Sequence, residues 1–184
     1  PSGTFATTWS VHGYSVYREI KAGLAYGRFL SPSVAAGIQM DYLNTHIGRE
    51  YGQAHTLTFE AGLMIQLNQK LYIGTQVFNP VRIGIGKIQE PLMTTFRLGG
   101  GYFISNQILL CLEAEKDIEQ PLITRFGTEY TPFDSFSFRA GIAVNPVMNY
   151  FGLGYQWKSF QADLAFSYHN LLGYIPDFSL SYEF

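Results

Sequence analysis

Thr56-Leu57-Thr58-Phe59-Glu60-Ala61-Gly62-Leu63-Met64-Ile65-Gln66-Leu67 reads as one β-strand with two unlike faces. Leu57, Phe59, Ala61, Leu63, Ile65 and Leu67 fall on one side, with Thr58, Glu60, Gly62, Met64 and Gln66 on the other. Successive strand side chains point to opposite faces, so strict period two separates a greasy row from a polar one. The design recurs on both sides of this stretch. Val34, Ala36, Ile38, Met40 and Tyr42 stand opposite Ala35, Gly37, Gln39 and Asp41, and Phe160, Ala162, Leu164, Phe166 and Tyr168 stand opposite Gln161, Asp163, Ala165 and Ser167. Residues 178–184 alternate to the end, and no segment keeps a helical period.

Twelve such strands are predicted, at 4–12, 14–30, 33–44, 55–67, 70–79, 91–104, 107–117, 121–131, 135–144, 149–157, 159–169 and 177–184. Tight turns are expected at Ser31-Pro32-Ser33, Asn68-Gln69-Lys70, Ser105-Asn106-Gln107, Phe133-Asp134-Ser135 and Lys158-Ser159. Between them lie longer links at 44–55, 79–90, 117–120, 145–149 and 170–176, while the first link, His12-Gly13, is short. Short turns at one end and longer loops at the other describe an all-β fold, a transmembrane up-and-down antiparallel β-barrel.

Composition agrees. Hydrophobic residues are 47% and charged ones 14% of 184 residues, against about 25% charged in soluble domains. A soluble lipocalin-like or sandwich fold also alternates, but the second face here is Gly, Ala, Ser, Thr and Gln, too thin in Lys and Glu for a solvated exterior. No run of about 18 apolar residues is present, which excludes a transmembrane helix. The net charge of −2 gives no electrostatic reason to bind nucleic acid. With Cys111 the one cysteine, neither an internal disulfide nor a thiolate zinc cluster can form.

In a membrane barrel the apolar row meets lipid and the polar row lines the lumen. Alternation then sends Lys21, Asp41, Glu60, Arg97, Glu113, Arg125, Glu129 and Arg139 inward as a charge ladder. Opposite charges on neighbouring strands attract, and their alternation in sign favours a salt-bridged filling over a permeation path with one selective field. Cys111 also points inward, as a small filler. Tyr26, Phe103, Tyr130, Phe136, Trp157 and Phe160 are expected to form one aromatic girdle, and Tyr14, Tyr42, Tyr150 and Tyr168 the other.

Chemistry has little to stand on. His12, His46, His55 and His169 map to one end, where Glu50 offers a carboxylate, but their spacing matches no metal motif. Ser10 or Ser15 with His12, and Ser167 with His169, lack a third group to orient them. Gly99-Gly100-Gly101 lies inside a strand with no helix after it, so it is not a phosphate loop; a bend or close packing explains it better. No enzyme, cofactor or metal is expected.

Phe178, Leu180, Tyr182 and Phe184 resemble the C-terminal signal read by the outer-membrane insertion machinery. That resemblance puts the C-terminus and the short turns on the periplasmic side and the long loops outside. Residues 17–28, Asn79-Pro80, residues 125–130, Arg139-Ala140-Gly141 and the segment from Tyr168 to Phe184 resemble the PorV/PorQ-type barrels of Bacteroidota, themselves distantly similar to the FadL fatty-acid transporter. The resemblance spans essentially the whole chain and rests on strand consensus. It implies fourteen strands, so that residues 1–184 form a single barrel domain lacking its first strands; a complete twelve-stranded barrel is the alternative. It further implies a non-enzymatic accessory or scaffold subunit of an outer-membrane export or assembly complex, partnered by lipid and by other outer-membrane proteins or lipoproteins. The second reading is FadL-like passage of hydrophobic small molecules. Inward Met64, Tyr72 and Phe78 offer only a little toward the apolar pocket which that reading needs, and a general porin is third.

Overall fold

A computed structural model describes residues 3–14, 17–47, 53–85, 90–169 and 173–182. No helix among them is long and apolar enough to cross a membrane. The strands are β1 (Thr4–Tyr14), β2 (Tyr17–Ser31), β3 (Val34–Ile47), β4 (Gln53–Gln66), β5 (Leu71–Phe78), β6 (Gly84–Ile85), β7 (Glu90–Pro91), β8 (Thr95–Ser105), β9 (Ile108–Asp117), β10 (Ile123–Phe133), β11 (Phe136–Val144), β12 (Met148–Trp157), β13 (Phe160–His169) and β14 (Gly173–Tyr182). Twelve of them form one sheet in chain order, and β6 pairs with β7 as a separate ribbon. This is the up-and-down meander the period-two pattern predicts, with the ribbon as an addition.

Short turns form where small polar residues can cap them. Asn68 Oδ1 accepts from the backbone N–H groups of Lys70 and Leu71 at 2.8 and 3.0 Å. Ser31 and Ser105 hydroxyls accept from Ser33 and Gln107 at 3.3 and 3.2 Å. Such side chains substitute for a missing ladder partner. Three predicted links change. His12-Gly13 lies inside β1, where Gly13 takes a φ of 113°, a conformation open to glycine. The link at 44–55 shrinks because β3 runs to Ile47 and β4 begins at Gln53. β14 begins at Gly173, four residues before the predicted start.

The chain divides into two compact units. Unit 1 contains Pro1–Gln66, Gly74–Leu98 and Lys116–Gln120, and unit 2 contains Leu67–Ile73, Gly99–Glu115 and Pro121–Phe184. In unit 1 the rung Leu24, Met40, Phe59 is apolar, with Thr7 at its end, while the next, Thr8, Gly23, Asp41, Thr58, is polar. In unit 2 the rung Ile108, Tyr130, Phe138, Leu153, Leu164, Phe178 is apolar throughout.

Burial is inverted relative to a water-soluble protein. Phe5 and Trp9 are 72% exposed, whereas Asp41, Thr58 and Asn79 are 0% exposed. Among the described residues Ala143 is the one fully buried apolar side chain. Interstrand aromatic pairs decorate the apolar face. Phe5 packs on Tyr26 at 4.9 Å in unit 1; Phe136 on Tyr155 at 4.9 Å, Phe160 on Tyr182 at 4.7 Å and Tyr168 on Tyr174 at 5.0 Å do so in unit 2.

Candidate functional site

The polar face is organised by three cations, each held by two carboxylates. In unit 1, Lys21 on β2 pairs with Asp41 on β3 at 3.3 Å and with Glu60 on β4. Gln39 donates to Asp41 at 2.7 Å, and Gln76 on β5 donates to Glu60 at 2.5 Å. Gly23 leaves room for this group, since a Cβ there would lie 2.5 Å from Asp41 Oδ1 and 2.7 Å from Gln39 Nε2. The Lys21 ammonium also sits 5.1 Å from the Phe78 ring centre, a cation–π contact.

In unit 2, Arg125 on β10 donates to Glu113 at 2.7 Å and Glu115 at 2.8 Å, both on β9. Arg139 on β11 donates through Nε to Glu129 on β10 at 2.5 Å and through Nη1 to Asp163 on β13. That second bond spans β12, where Gly152 and Gly154 present no side chain in the way. Gln161 caps Asp163 at 2.8 Å. Charge-assisted bonds of this kind are the strong ones, and they tie strands to their neighbours or, for Lys21–Glu60 and Arg139–Asp163, across one intervening strand.

All eight residues of the expected ladder therefore lie on strands of the sheet, and seven join the three clusters. Arg97 on β8 instead donates to Gln76 at 3.5 Å. Sequence reasoning put Gln39 and Asp163 on the polar face without assigning them to the ladder, and it missed Glu115 and Gln76. Glu115 carried a signal, as it lies two residues from Glu113 and so on the same face.

Between the Arg125 and Arg139 clusters lies an open cavity of about 510 Å3. Its floor is the rung Cys111, Gly127, Gly141, Tyr150 and, one layer on, Gly152 and Ala165. Three strands in register place Cys111, Gly127 and Gly141 here, with Gly152 and Ala165 one layer on, which leaves the sheet bare and makes space without a gap in the ladder. Cys111 is one wall of this space.

Two aromatic expectations are corrected. Tyr150 pairs across β11 with Gly141 and lines the cavity. It does not join the outer girdle, because its register places it with Gly127 and Cys111. Phe103 faces Tyr72, with ring centres 6.0 Å apart, while its neighbours Tyr102 and Ile104 are the exposed pair. Of the C-terminal signal, Phe178, Leu180 and Tyr182 are exposed in β14, and Phe184 lies outside the described residues. So do Ser15 and Glu50, and the side chains of Tyr14 and His169. Ser10 and His12 share one face of β1 with no hydrogen bond between them among the described residues. His55 stacks near Tyr42 at 6.3 Å.

A second polar centre was not legible from sequence. Asn79 follows β5 in the left-handed region, with φ of 50° and no exposure. Its Oδ1 accepts from the Thr58 hydroxyl at 3.0 Å and from Ile83 N–H at 2.9 Å. Its Nδ2 donates to the carbonyls of Leu92 at 2.9 Å and Ile83 at 3.3 Å. The Thr94 hydroxyl donates to its carbonyl at 2.9 Å. Thr56, also on the polar face of β4, donates to Gly84 of β6 at 3.1 Å. The described first part of the link predicted as an outer loop, residues 79–85, is thus fastened to the polar face of unit 1.

An apolar exterior, a polar face of ion-paired clusters and a consecutive antiparallel meander define a transmembrane up-and-down β-barrel. Solved structures bear this out. The Pseudomonas putida toluene transporter TodX aligns with a TM-score of 0.66 at 11% identity, covering 82% of this chain and 63% of that one. The Ralstonia pickettii toluene transporter TbuX gives 0.66 at 13%, covering 83% and 62%. The monoaromatic hydrocarbon channel CymD gives 0.66 at 10%, covering 97% and 77%. The chain thus spans less than two thirds of the length of TodX and TbuX. Neither a scan of protein-family models nor a search of curated proteins finds a match. The likeness is one of fold, and the nearer resemblance to PorV and PorQ gains no support from it.

Proposed function

We propose that this chain is an outer-membrane barrel that passes hydrophobic small molecules, with its short turns on the periplasmic side and its longer links outside. The cavity over the glycine floor of unit 2 carries this reading, because it supplies the pocket that the sequence lacked. Clefts of 300–1,000 Å3 with carbon-rich walls and few polar groups are typical of small-molecule sites, and 510 Å3 falls within that span. The barrels it resembles in fold are named for toluene and monoaromatic hydrocarbons.

Filling the floor tests the reading. A Cβ at Gly127 would meet nothing nearer than the Ala140 carbonyl at 3.7 Å, so Gly127→Leu fits the sheet and projects into the cavity. Uptake of radiolabelled toluene by cells carrying this variant is expected to fall at least fivefold. Gly27→Leu, with the same 3.7 Å clearance in unit 1, is the control and keeps wild-type uptake. Equal uptake by all three proteins would sink the assignment.

The membrane setting has its own test. Leu153 lies in mid-strand on the apolar face, half exposed. An Arg at that position in a lipid-facing row costs about 2 kcal/mol, whereas on a water-facing surface it costs nothing measurable. Urea unfolding of Leu153→Arg in lipid vesicles separates the two.

A further inference from the structure

We propose that the unit 2 cavity rejects carboxylates and takes neutral, mainly hydrocarbon molecules; this rests on the transport reading above. The cations at its rim are Arg125 and Arg139. Each is already engaged by two carboxylates, Glu113 and Glu115 for the first, Glu129 and Asp163 for the second. Among the residues named, one positive and two negative charges leave each cluster at 1 − 2 = −1. A bound carboxylate would face two net negative groups, with no cation lacking partners among these four strands. A like charge opposite such a cluster is repelled, and within a protein cleft the repulsion is several times stronger than in water. An anionic ligand would also have to displace an existing charge-assisted bond, leaving its carboxylate without a cation.

The remaining cavity groups suit a neutral ligand. Gly127, Gly141 and Gly152 expose only backbone carbon, and Cys111 is a small, soft hydrophobe. The Tyr150 hydroxyl donates to Met148 Sδ at 3.3 Å, a weak acceptor, so it can turn to an uncharged oxygen at little cost. Selectivity here comes from the ratio of acids to bases, not from the absence of charge.

The test compares octanol with octanoate, two probes of one chain length, by equilibrium dialysis of the full chain in lipid nanodiscs at pH 8, where the acid is ionised. Octanol is expected to bind at least tenfold more tightly after correction for partition into empty discs. Octanoate binding as tightly as octanol overturns the selectivity and leaves the transport reading standing. Failure of both probes to bind overturns both. Asp163→Asn loosens one side of Arg139 and is expected to raise the octanoate-to-octanol affinity ratio at least fivefold. Glu113→Gln does the same at Arg125, independently of whether the first variant folds. Ratios unchanged in both variants overturn the proposal.

Discussion

Lys21→Met will lower the unfolding free energy by about 3 kcal/mol, the low end for breaking a buried ion pair. The substitution keeps length and apolar bulk, so packing against Phe78 survives while the charge goes. Two carboxylates then face each other without a cation. Asp41 has no exposure and Glu60 little, at 0% and 14% of the side chain. Asp41 Oδ2 has no hydrogen-bond partner, and Lys21 at 3.3 Å is its compensation. The effect is placed at the low end because 31% of the Lys21 side chain is exposed. Adding Asp41→Asn and Glu60→Gln to the Met variant removes both orphaned charges and is expected to restore most of the loss. Urea titration in vesicles reads all three proteins. A Met variant as stable as the wild type would show that the cluster is solvated and contributes nothing.

The second large effect is at Asn79. Asn79→Ala removes four side-chain hydrogen bonds and leaves the Thr58 hydroxyl and Ile83 N–H without partners, at about 1–3 kcal/mol for each buried orphan. It also puts a Cβ residue without a compensating side-chain bond at φ 50°, a region Asn tolerates better than Ala. A total near 3 kcal/mol is expected. Asn79→Gly loses the same bonds but accepts the backbone angle, so it should be milder. Trypsin provides a local reading, since Arg82 is exposed and follows the anchor by three residues. Cleavage there should precede loss of the sheet in Asn79→Ala and not in the wild type. Simultaneous loss would mean that Asn79 does not fasten this segment separately.

Period two made the strands and the two faces readable because each face meets one kind of environment, and a strand cannot satisfy both with any other spacing. Lys21, Arg125 and Arg139 were legible for the same reason. Their partners were half legible. Glu129 opposes Arg139 directly on the adjacent strand, so alternation finds it. Asp163 sits two strands away and is reached over Gly152 and Gly154, which a linear reading sees only as weak strand formers. Tyr150 was placed by its distance from a turn and not by its parity, and register decided otherwise. Asn79 stood out only as half of the Asn79-Pro80 pair in the family resemblance, with no sign of its packing. An Asn before a Pro at a strand end reads as a turn, and only the packing reveals that the segment folds back onto the polar face.

The inverted burial has a consequence for how such a chain acquires its shape. With Asp41, Thr58 and Asn79 buried and Phe, Leu and Trp exposed, the described residues hold no oily nucleus around which to condense in water. The other half of its interior is the acyl chains. Folding and insertion therefore merge into one event, and before it the chain needs escort, since its greasy rows would otherwise find each other on neighbouring molecules. Stability becomes a property of the protein and its bilayer together, so thickness and fluidity act on it as temperature and denaturant act on a protein in solution.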